Sequence, residues 1–204
     1  MARKPTFREL KKERTKQRFI EVARELFVAK GFEGTTVDEI ADETGLSRRT
    51  FFRYFKTKES VVFPDHERRI RLFRELLDHF MKDLPPVTAT KQALLELAND
   101  YMAHKENLLD EFKIVTTTPI LMAKDIALDT EYEAAIAEAF VSKTDGNKEA
   151  RYRATVLAAA IFGSVRATMI IWFSNGCVED LFELGDITLQ MFGDDFNKVI
   201  LSNK

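Results

Sequence analysis

Residues 35–60, TTVDEIADETGLSRRTFFRYFKTKES, constrain this chain more than any other stretch. Thr36 and Glu39 stand three apart ahead of an apolar run, the spacing of a capping box, so a helix starts there. Gly45 ends it, Leu46 plugs the turn, and Ser47 caps a second, shorter helix. Phe51 and Phe55 are four apart and share one face of that second helix. Arg48, Arg49, Thr50, Arg53 and Tyr54 occupy the remaining arc. A short basic helix held by a preceding helix at a glycine turn has the form of a helix-turn-helix, whose second helix fits the major groove of DNA.

The residue types suit that groove. An arginine guanidinium matches guanine O6 and N7 as a bidentate donor, and Thr50 can meet a thymine methyl or a phosphate. Thr36 and Lys58 fall at expected helix N-termini, where free N–H groups favour phosphate oxygens. The candidate DNA-contacting set is therefore Thr36, Ser47, Arg48, Arg49, Thr50, Arg53, Tyr54 and Lys58. The competing reading is a three-helix core whose arginines form a solvated face. Charge distribution favours DNA. The net charge is −2, but residues 1–60 carry 15 Lys/Arg against 10 Asp/Glu, and the remainder carries 16 against 23. A basic front and an acidic back separate a phosphate-facing part from the rest.

Helical period runs through nearly every segment, and no stretch alternates like a strand. The expected fold is all-α: a three-helix head over residues 1–60 and a larger helical body over 61–204. The first helix is predicted from Lys12 to Lys30, with Phe19, Ile20, Ala23, Leu26 and Phe27 as its apolar stripe. Thr57 is expected to cap a helix beginning at Lys58, which Pro64 interrupts. Further helices are predicted at Asp65–Lys82, Lys91–His104 and Lys105–Val115. Another opens at Thr118-Pro119, and Ile126–Phe140 either continues it or stands apart. Lys148–Phe173 and Glu179–Leu201 complete the body, and Asp83–Thr90 reads as a loop.

A single cysteine, Cys177, leaves no internal disulfide and fits a reducing, cytoplasmic setting. The first residues, MARKPTFRELKKERTKQRF, hold no apolar segment of a secretory signal. Ala154–Phe173 is apolar enough to raise a membrane question, but Arg166 at its centre and its small residues favour a buried or interface helix. His66, His79 and His104 are scattered and read as structural or surface residues. There is no Gly-rich phosphate loop, no G-x-S-x-G and no H-E-x-x-H, so neither enzymatic activity nor a metal or cofactor is expected.

From about Arg14 to Val62 the chain resembles the DNA-binding domain of TetR/AcrR-family transcriptional regulators. The matching features are A-x-x-L-F-x-x-x-G-F (Ala23–Phe32), T-T-V-x-x-I-A (Thr35–Ala41), G-L-S-R-R-T-F-F-R-Y-F (Gly45–Phe55) and K-x-K-E-S (Lys56–Ser60). The resemblance implies an all-α homodimer that binds palindromic double-stranded DNA. It also implies Thr36 and Lys58 as phosphate contacts, with Arg48, Arg49, Thr50, Arg53 and Tyr54 facing the groove. Many members carry tyrosine where this chain has Phe52, and Phe52 cannot offer the hydroxyl that usually meets a phosphate. The SRRTFFRYF core followed by Pro64 bears a fainter resemblance to the mycofactocin-associated branch, which implies an acyl-CoA-type effector.

In the family the body senses ligand and dimerises. The last two helices are the expected dimer contact. Ala158, Ala159, Gly163 and Ala167 give one a small-residue side, and Leu181, Leu184, Leu189, Phe192 and Phe196 give the other an apolar side. These faces also suit packing within one subunit. An effector, apolar or acyl-type, would sit among some of Tyr101, Phe112, Met122, Phe140, Phe162, Arg166, Met169 and Trp172. Ordinary core is the competing reading for each, and for Arg166 an internal ion pair. The leading function is a ligand-released repressor. The alternatives are an architectural or nonspecific DNA binder, and a helical carrier or enzyme with a basic head.

Overall fold

A computed structural model describes residues 6–193 and 195–201, all of them in helices or the turns between. The helices are α1 (Phe7–Lys30), α2 (Val37–Thr44), α3 (Arg48–Tyr54), α4 (His66–Phe80), α5 (Pro86–Ala103), α6 (Lys105–Thr116), α7 (Pro119–Val141), α8 (Lys148–Ser174), α9 (Leu181–Leu189) and α10 (Asp195–Leu201). Two compact units form. One takes Met1–Pro64 with Asp110–Lys124, and the other takes Asp65–Leu109 with Asp125–Lys204. The expected boundary after residue 60 therefore needs two corrections: 61–64 belong with the head, and so does the later segment Asp110–Lys124.

Local chemistry sets each element of the first unit. Thr6 accepts from the Glu9 N–H while Glu9 accepts from the Thr6 N–H, so a capping box starts α1 earlier than the expected Lys12. The same reciprocal pair, Thr36 and Glu39, opens α2. Gly45 closes α2 at φ 67°, a left-handed conformation that glycine adopts without a Cβ penalty. Ser47 then caps α3 through the Thr50 N–H. Phe19 is fully buried at the centre, with the Phe51 and Phe55 rings edge-on to it at 5.4 and 6.3 Å. Ile114, Val115 and Leu121 complete this core. The helix expected from Lys58 is a single 3-10 turn, Glu59–Val61, with Thr57 and Ser60 side chains capping each other's N–H groups.

The second unit holds two apolar clusters. The larger gathers Ile70, Phe73 and Leu77 of α4 with α5, the distal part of α7, and α8. In the smaller, buried Trp172 packs with Ala98, Cys177 and Leu181 and donates to the Glu179 carbonyl at 2.9 Å. The loop expected at Asp83–Thr90 is half helix, because α5 starts at Pro86. Proline suits a first helical position, and the missing cap arrives from far away in sequence: buried Asn197 accepts from the Val87 N–H at 2.8 Å. The single last helix expected at Glu179–Leu201 is two, α9 and α10, and Asp180 caps the first through the Phe182 and Glu183 N–H groups.

Candidate nucleic-acid interface

The exposed arc of α3 carries the arginines. Phe51 is turned wholly inward, and Arg48, Arg49 and Arg53 are exposed. Their orientation is constrained at two points. The Arg48 guanidinium sits 5.5 Å from the centre of the Phe52 ring and is bridged to Asp38 of α2 at 3.2 Å. Arg53 lies 5.2 Å from the Tyr54 ring centre, and Tyr54 leans on Phe19. Phe52 is thus a platform for an arginine where a tyrosine would present a hydroxyl. Sequence reasoning counted Phe52 only as a missing hydroxyl and did not see this role; the signal was its i, i+4 spacing from Arg48.

The remaining candidates are engaged within the head. Ser47 Oγ and Thr50 Oγ1 are 2.9 Å apart, so the two hydroxyls share one hydrogen bond beside the α3 N-terminus. Thr36 is exposed, but Glu39 holds both its N–H, at 2.8 Å, and its hydroxyl, at 3.2 Å. Lys30 and the Thr36 backbone hold the Glu39 carboxyl pKa down to about 2, so the cap stays ionised. Lys58 differs most from expectation. It does not open an α-helix. Its ammonium donates to the Phe32 and Thr35 carbonyls at 2.7 and 2.8 Å and sits 4.1 Å from the Phe32 ring centre. It clamps the loop that delivers Thr36.

The eight expected effector contacts are divided between the units: Phe112 and Met122 lie in the first and the other six in the second. A small cleft in the first unit is lined by Ile20, Phe27, Val62 and Ile114 among others, and by none of the eight. Phe140 and Trp172 are wholly buried core. Phe162 stacks on Tyr132 at 5.0 Å. Tyr101 and Met169 flank the Trp172 cluster, half-buried. Arg166 donates to Asp129 at 2.6 Å and Glu133 at 3.0 Å, both on α7, so the internal ion pair is present. Burial pushes the Asp129 carboxyl up, against the pull of Arg166.

The expected dimer faces also divide. Ala158, Leu181 and Leu189 are buried within the unit, and Leu184, Phe192 and Phe196 pack half-buried against its cores. Those five side chains of the last segment are therefore spent internally, although Phe182, Ile187 and Met191 beside them are exposed. Also open is a line along α8: Tyr152, Val156, Ala159, Gly163, Ala167 and Ile170, spaced three and four apart and all exposed. Among the described residues α8 is also the one helix long and apolar enough to cross a membrane.

Comparison with known proteins agrees with this head. The model for bacterial regulatory proteins of the tetR family matches residues 19–63. The chain is 27% identical over 169 residues, 81% of its length and 83% of the relative's, to MftR of Mycobacterium tuberculosis, a regulator assigned to mycofactocin biosynthesis. Its fold is shared with FadR of Bacillus subtilis in complex with stearoyl-CoA (TM-score 0.59, 19% identity, 87% of this chain and 97% of that one). It is shared too with Thermus thermophilus FadR in complex with lauroyl-CoA (TM-score 0.54, 23% identity, 93% and 96%). The head, residues 19–63, thus carries the DNA-binding domain of bacterial regulatory proteins of the tetR family, and over most of its length the chain is similar to regulators of that kind.

Proposed function

We propose that this regulator is a homodimeric repressor whose two α3 helices read a palindrome in adjacent major grooves and whose helical body releases DNA when a small molecule binds. The observation that carries this reading is the exposed, pre-oriented guanidinium of Arg48, held between Phe52 and Asp38. A donor already restrained costs little to immobilise on a base edge. Asp38 is an exposed partner that a guanine can replace. Arg49, Thr50 and Arg53 extend the reading surface, and Ser47, Thr36, Tyr54 and the α2 N-terminus serve the backbone. Lys58 acts beneath them by fixing the loop.

The open line on α8 supports dimerisation. Its small residues permit close helix approach, and a Cβ at Gly163 would meet no other part of the protein within 4 Å beyond its own helix backbone. Two reading heads need their half-sites about 34–36 Å apart, which a rigid helical contact can impose. An apolar or acyl-CoA-type effector is supported by the fold shared with two regulators solved with acyl-CoA molecules. The half-buried Tyr101 and Met169 are the side chains proposed to meet it. Release follows only if the effector prefers one spacing of the heads over the other.

The test is anisotropy titration of labelled duplexes selected by the protein from a randomised pool. The expected winner is a palindrome whose affinity falls steeply with salt and falls again on adding lauroyl-CoA. Binding that ignores sequence would end the repressor reading in favour of an architectural one.

A further inference from the structure

The first two turns of α1 do nothing for the fold. Residues 7–14 are all exposed and contribute no side chain to the head core, which begins at Phe19. Yet the capping box at Thr6 and Glu9 builds them as ordered helix. Arg8, Lys11 and Arg14 follow one another at three-residue spacing, Lys12 lies four from Arg8, and Arg18 lies four from Arg14. On a helix these positions form one continuous basic face. Arg8, Lys11, Lys12 and Arg14 make no ion pair or side-chain hydrogen bond with any described residue. Of the two acids in the same stretch, Glu9 is held by Thr6, which keeps its carboxyl below the usual range, and Glu13, four residues on, shares its side of the helix.

The direction of this face is set by Arg18. Its Nε donates at 2.9 Å to the carbonyl of Thr44, the last residue of α2, beside the turn that launches α3. The Arg18 end of the basic line therefore lies beside the turn that launches α3. Ten residues of helix from Arg18 to Arg8 span about 15 Å. That length of duplex axis carries roughly nine phosphates on its two strands.

We propose that the first two turns of α1 are a cationic rail for the phosphates of duplex DNA flanking the segment that α3 reads. This deepens the DNA-binding assignment and rests on it. The rail adds affinity and salt dependence without sequence preference, because phosphates carry no base information.

The experiment uses the full chain and a duplex it selects from a randomised pool. That duplex is made in two lengths: trimmed to the two half-sites, and extended by a helical turn at each end. The variant is R8Q/K11Q/K12Q/R14Q, which keeps good helix formers at exposed positions. On the extended duplex, the slope of log affinity against log salt should become shallower by about 0.9 for each phosphate that is no longer neutralised. On the trimmed duplex the variant and the wild type should agree within about twofold, with unchanged base preference on both. Equal slopes on the extended duplex would overturn the rail. An equal reduction on both lengths would overturn it as well, pointing to a diffuse field instead of flanking contacts. If R48A leaves base preference intact, the reading helix is misassigned and the rail falls with it, an outcome separable from the other two.

Discussion

Arg48 and Lys58 show how two cations ten residues apart come to opposite uses. Arg48 is held at the surface by a ring on one side and a carboxylate on the other, ready for exchange. Lys58 is turned inward onto two carbonyls. Arg48→Ala should cost about 1–3 kcal/mol of binding and relax preference at one base position, whereas a backbone contact would weaken all sequences alike. A panel of single-base variants of the selected duplex would separate the two. Lys58→Met keeps the stem over Phe32 but strands the Phe32 and Thr35 carbonyls. It should lower stability by about 1.5–3 kcal/mol and weaken DNA binding, with the salt slope nearly unchanged, in paired melting and titration curves. A slope that drops by about one unit would instead make Lys58 a phosphate contact.

At the level of elements, what could be read in the sequence was what neighbouring residues decide. The Thr36–Glu39 box, the Gly45 turn and the Phe51–Phe55 face are each set by residues within a turn or so of one another, and they were legible. The start of α5 was not, because its cap comes from Asn197, 110 positions away. Nor could periodicity distinguish an apolar residue that packs inward from one left open, so Ala158 and Ala159 were grouped although the first is buried and the second exposed. Asn197→Ala should remove that distant cap and cost about 1–2 kcal/mol in denaturant melts. The junction of α4 and α5 offers a pH test. Asp100 accepts two bonds from Arg68, each 2.7 Å, and one from buried Arg69. The Arg68 bonds foremost, then Arg69, keep its carboxyl below the usual range against the opposing effect of burial. A lowered acid adds stability that is complete above its unfolded value of about 3.9 and disappears as pH falls through the folded one. Asp100→Asn should therefore destabilise by about 3–5 kcal/mol at pH 7. The gap to wild type should close in acid.

For the whole molecule, the open line on α8 is the proposed dimer contact. A carboxylate set into this line would find no polar partner across an apolar two-fold contact. Val156→Glu should yield monomers by sedimentation and reduce palindrome affinity more than half-site affinity, with little change in helix content. A dimer that survives it would move the interface elsewhere. The division of the chain has a different consequence. Ile114, Val115 and Leu121 belong to the same core as Phe19 and Phe51. A peptide ending at Pro64 would carry every residue proposed to read DNA and still lack part of the floor beneath them, leaving bare hydrocarbon in water. Such a head is not a portable cassette: a chimaera that grafts it onto a foreign body must supply substitutes for those three side chains, or inherit a reader that melts.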